Sequence, residues 1–154
     1  MAKTIPFSGN TQAARTRAAK AMLLALPRAT AEELALQVHI ALDSLRRGKG
    51  SVGATQTVTQ AMLLVAFIVE AGYGMLTPEA LRTADAVSAA CFERGRASGE
   101  WVLDRAGYEI FAAIATVYDY QLQKAPLWAI AEASDRLERL STGEPYLAVN
   151  RKRA

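Results

Sequence analysis

The sequence predicts an all-α fold, a single domain built as an irregular bundle of five to seven helices. Three observations carry that prediction. Apolar residues recur at three- and four-residue spacing in one segment after another. No stretch alternates apolar and polar residues over a useful length. Helix start and stop signals punctuate the chain throughout. The size agrees, because 154 residues, 51% hydrophobic and 21% charged, suit one domain with a buried core. The domain is expected to span residues 1–154, with flexible ends at about 1–10 and 144–154.

A first helix is expected from Thr11 to Leu26, Ala-rich and halted by Pro27. Thr30-Ala31-Glu32-Glu33 reads as a capping box that opens the second helix. Its apolar positions Leu34, Val38, Ala41, Leu42 and Leu45 keep a helical period until Gly48 ends it. The third helix, Ala54 to Ala71, is apolar nearly all round, which places it at the centre of the bundle. Its uninterrupted run "AMLLVAFIV" falls far short of the roughly 20 residues that span a bilayer.

Thr77-Pro78-Glu79 supplies an N-cap, a first-turn proline and a first-turn acid for a fourth helix. Along it Ala84, Ser88, Cys91 and Gly95 form a face of small residues that a neighbour can approach closely. Asp104 caps a fifth helix, on which Ile110, Phe111, Ile114 and Val117 point one way, and which stops near Lys124. A sixth runs from Pro126 to Ser141, and the tail beyond it is expected to pack through Tyr146 and Leu147.

The stretch "RRGKGSVGATQ" contains the spacing Gly48-x-Gly50-x-x-Gly53. In a dinucleotide fold that spacing works after a strand, where it opens a helix towards a pyrophosphate. Here a helix precedes it, and Lys49 is followed by Gly50 rather than by the hydroxyl residue a P-loop needs. The glycines are therefore expected to form a helix cap and a mobile connector. Arg46, Arg47 and Lys49 stand beside the start of the third helix, where amides attract anions, and offer contacts to a phosphate or an acidic surface.

No catalytic residue, cofactor or metal is expected. His39 is the sole histidine, so a multi-histidine site is impossible; Asp43, four residues on, stands at the spacing that could orient its imidazole, and the pair reads as an ordinary helix-surface ion pair. Cys91 is the sole cysteine; it excludes an internal disulfide, fits a reducing compartment and reads as a small core hydrophobe. Glu93, Glu100, Asp104 and Glu109 read as solvated charges rather than a cation site. The early apolar stretch "AMLLAL" is too short for a secretion signal. The acid-free, Ala- and Arg-rich start imitates an organellar transit peptide, but the same helix suits packing in the domain. A cytoplasmic protein with no membrane partner is expected.

Charge is unevenly spread. Residues 1–50 carry eight basic and three acidic side chains, a net +5; residues 51–150 carry seven and twelve, a net −5; the final "RKRA" adds +3. Such polarity suits an acidic or nucleoprotein partner. Arg17 and Lys20 add to the anionic contacts expected of Arg46, Arg47 and Lys49, whereas Arg15 projects elsewhere on the first helix. Trp101 and Trp128 are candidate aromatic anchors for a protein interface, and Tyr118 and Tyr120 fall on different sides of the fifth helix, so one of them faces outward; Trp101 and Tyr120 are the residues expected to serve. A helix-turn-helix is not supported, because the connector after Arg47 is long and the helix beyond it too apolar to read bases.

The patterns "ALDSLRRGKG", "VEAGYG" and "GEWVLDRAGYEIFAAIATVYDYQL" resemble small all-helical accessory proteins of proteobacterial plasmids, integrative elements and phages. The resemblance covers most of residues 34–143, rests on structural signals and carries over no site residue. It implies a mobile-element context, in which accessory proteins include anti-defence and anti-CRISPR inhibitors that cover a host surface. The expectation is a non-catalytic protein that binds a protein or nucleoprotein complex as such an inhibitor or modulator. The alternative is a DNA-binding regulator that uses the basic N-terminal and loop residues for phosphate contacts.

Overall fold

The computed structural model describes residues 7–143, with side chains from Thr11 onward. Six helices follow one another: α1 (Phe7–Ala21), α2 (Arg28–Arg46), α3 (Val52–Glu70), α4 (Pro78–Ser98), α5 (Arg105–Lys124) and α6 (Leu127–Ser141). No strand occurs among the described residues, and the chain is a single-domain all-α bundle. The proposed packing of Tyr146 and Leu147 lies outside the described residues, as do most of the ends expected to be flexible; Phe7–Asn10 are helical.

α3 is the centre, with α2, α4, α5 and α6 all packed against it and α5 also lying along α2. By length and composition alone α3 would suffice to cross a membrane. In the bundle it buries Val58, Met62, Val65, Phe67 and Ile68, and its polar edge meets the small face of α4. There Thr59 Oγ1 and Ser88 Oγ lie 2.6 Å apart, and Thr55 Oγ1 and Cys91 Sγ 3.7 Å apart. Ala84, Ser88, Cys91 and Gly95 are the buried residues of α4, as the spacing predicts.

Caps set most boundaries. Thr77 accepts from the Ala80 amide and Asp104 from the Gly107 amide, at 3.1 and 2.7 Å. Ser51, unread in the sequence, accepts from the Ala54 amide and starts α3 two residues earlier than expected. Two expectations are corrected. α1 ends at Ala21 rather than Leu26, because the next residues pair with the chain entering α6: the Trp128 amide donates to Met22 O and the Leu127 amide to Leu24 O. The Thr30 capping box does not form, since α2 already begins at Arg28, behind Pro27, and Glu32 pairs with Arg28 at 2.7 Å.

Two buried polar side chains tie distant segments together. Gln121, fully buried on α5, donates from Nε2 to Val65 O and Tyr73 O at 3.1 and 3.0 Å, holding the α3–α4 turn against α5. Arg136 on α6 donates to Glu70 Oε2 at 2.7 Å and stacks its guanidinium 4.0 Å from the Phe67 ring centre. A cation taken this far from water needs both the carboxylate and the aromatic face.

Candidate functional site

The glycine stretch serves the protein's own packing. Gly48 adopts φ +71, the left-handed geometry that ends a helix, and Lys49 N donates back to Ser44 O at 2.9 Å. The Leu103 amide then donates to Leu45 O and the Gly50 amide to Trp101 O, stitching the α2–α3 connector to residues 101–103. A Cβ on Gly50 would come within 2.5 Å of both Trp101 O and the Leu45 side chain. The expected mobile connector is thus a fastened one, and Gly53 lies inside α3.

The basic cluster is partly neutralised by its own helix. One carboxylate, Asp43, takes Arg46 at 2.7 Å on one oxygen and Arg47 at 2.8 Å on the other. The hydrogen bond from Arg46, with the nearby charge of both guanidiniums, holds the Asp43 carboxyl below its ordinary range. Arg46 also lies 5.6 Å from the Tyr108 ring centre on α5. Arg47 and Lys49 remain exposed, so the end of α2 presents net positive charge. Arg17 and Lys20 are exposed on α1, apart from this cluster.

His39 does not pair with Asp43. Its Nε2 lies 2.8 Å from Asp119 Oδ2, across the seam between α2 and α5, with both side chains partly open to solvent. The two Arg side chains already occupy Asp43, which explains the correction. Among the described residues no three His, Cys, Asp or Glu gather as metal ligands; Asp104 caps α5 and Glu109 pairs with Arg105. Cys91 is buried between Thr55 Oγ1 and Val102 O.

Trp101 packs inward more than an interface anchor would. Its indole presses on Gly95, where a Cβ would come within 2.3 Å, and meets the Phe92 ring edge-on at 6.0 Å. Tyr118 is buried and Tyr120 is 51% exposed, so the aromatic pair does split between core and solvent. Sequence reasoning passed over two further residues. Leu36 and Ile40, one turn apart on α2, are each 58% exposed, and Arg47 lies two turns beyond Ile40 along the same side of the helix.

The result is an outward surface made by the adjacent helices α2 and α5. Leu36 and Ile40 are its apolar part, the His39–Asp119 pair bridges its seam, Tyr120 stands on the α5 side, and Arg47 with Lys49 forms the basic end. Comparisons with protein families, with curated proteins and with solved structures find no match to this chain.

Proposed function

We propose that the protein is a non-catalytic binding protein that docks on a protein or nucleoprotein complex through the outward face of α2 and α5. One observation carries the reading: two large aliphatic side chains one turn apart, Leu36 and Ile40, stand more than half exposed on a helix that otherwise buries its apolar stripe. An exposed aliphatic pair, with an exposed tyrosine on the neighbouring helix, can supply the desolvated centre of an interface, and a basic rim steers an acidic partner towards it. The partner chemistry that fits is therefore an apolar patch with an acidic margin. With the sequence resemblance, this supports a mobile-element modulator of a host system, of anti-defence or anti-CRISPR type, that works by covering a host surface.

A DNA-binding regulator is the competing reading. It is the weaker one because Asp43 takes up part of the charge of Arg46 and Arg47. Capture of the tagged protein's partners from a bacterial lysate, with and without nuclease, separates the two. The proposal expects a stoichiometric protein that persists after digestion and is lost with Leu36→Asp/Ile40→Asp. Retention of nucleic acid alone, lost with Arg46→Glu/Arg47→Glu/Lys49→Glu, would leave the regulator reading in its place.

A further inference from the structure

Over its described side chains, α1 has no packing face. From Thr11 to Ala21 every side chain is exposed, and the segment holds Arg15, Arg17 and Lys20 with no acidic residue. Fifteen residues, about 22 Å of helix, are marginal as an isolated helix in water, because most helical stability in proteins comes from burying one face. The two residues that follow closely on it, Leu23 and Leu24, are 69% and 65% exposed. A basic helix and an uncovered leucine pair thus leave the bundle together.

The point of departure is fixed. The Trp128 amide donates to Met22 O at 3.0 Å and the Leu127 amide to Leu24 O at 2.8 Å, which pins the root of α1 to the first turn of α6. Beside that root a groove of about 670 Å³ runs along α6. Met22, Trp128 and Ala131 line it with apolar surface, and Glu132, Asp135 and Glu138 line it with carboxylates, against the one cation Arg139. α1 is positive where this groove is negative, yet among the described residues nothing covers α1 from Thr11 to Ala21.

From this complementarity we infer that α1 of one copy lies along the α6 groove of a second copy, in a reciprocal two-fold dimer. Arg17 and Lys20 are three residues apart on one side of α1, as Asp135 and Glu138 are on α6, so two cations meet two carboxylates when the helices run side by side. Ala13 and Ala21 are small and allow close approach, and Leu23 and Leu24 reach apolar cover at the base of the contact. A two-fold axis repeats the same contact and leaves neither α1 uncovered. Nucleic acid is the less suitable occupant of α1, because the carboxylates of α6 beside its root repel phosphate. The inference does not depend on the α2–α5 surface.

Charge exchange tests it. Sedimentation or light scattering of the whole chain at 50 mM salt should show a dimer, weakened about tenfold at 500 mM as the exposed charges are screened. Arg17→Glu/Lys20→Glu and Asp135→Lys/Glu138→Lys should each weaken self-association about 100-fold while keeping the helical signal and unfolding midpoint of the wild type. Mixed in equal amounts, the two variants should form a heterodimer, since both of its contacts then join opposite charges. A wild-type protein that stays monomeric at low salt overturns the inference. So does a dimer indifferent to either reversal, or a mixture of the two folded variants that stays monomeric.

Discussion

α1 and α3 show how separable helix formation and burial are. Neither has an acid in its first turn, and both are rich in alanine or other apolar residues. Over Thr11–Ala21, however, α1 offers no apolar side chain larger than alanine, whereas α3 presents valines, methionine, phenylalanine and isoleucine to four neighbouring helices. One helix organises the bundle and the other leaves it. The lesson is that the surfaces proposed to bind lie where a helix turns side chains away from the core: α1 over Thr11–Ala21, and α2 at Leu36 and Ile40.

The contrast can be broken by changing the two regions in turn. Gly95→Ala drives a methyl group into the Trp101 indole, and should cost about 3 kcal/mol of stability, read from the denaturant midpoint. Glu70→Gln leaves the Arg136 guanidinium, only 9% exposed, without its carboxylate, and should cost about 2 kcal/mol by the same measurement. Burial, with the charge of Asp119 added, pushes the Tyr118 phenol above its ordinary value of 10.0. Because the folded value is the higher one, that contribution to stability is full below pH 10 and is lost as pH rises through the folded value. Tyr118→Phe should therefore flatten the loss of stability as pH rises above about 10. Ala14→Pro, in α1, should remove helical signal yet change the unfolding free energy of a dilute sample by less than about 0.5 kcal/mol. A large loss there would mean that α1 belongs to the cooperative core.

Most of the architecture was legible because its signals are local. Thr77-Pro78-Glu79, Asp104 and Gly48 act within a turn of themselves, and the small face of α4 needs nothing beyond spacing. What escaped was set by distant partners. α1 stops at Ala21 because residues near 127 capture the backbone after it, and His39 finds Asp119 eighty positions away rather than Asp43 four away. Gln121 and Arg136 fall on the buried stripes of their helices, but as polar types they read as surface; their partners Val65 O and Glu70 lie 56 and 66 positions off. At the proposed surface, Tyr120 was legible as the outward member of a pair. Leu36 and Ile40 fall off the stripe of Leu34, Val38, Ala41, Leu42 and Leu45, so their exposure was already written in the spacing.

The account's central claim is that the protein acts by docking through α2 and α5. The direct measurement is the affinity of the purified, nuclease-resistant partner for the wild type, for Leu36→Asp/Ile40→Asp and for Arg46→Glu/Arg47→Glu/Lys49→Glu. The account predicts a loss of about 100-fold or more for the aliphatic pair, with folding intact, and a smaller, salt-dependent loss near tenfold for the basic cluster. Unchanged affinity in the folded Leu36→Asp/Ile40→Asp variant would contradict it.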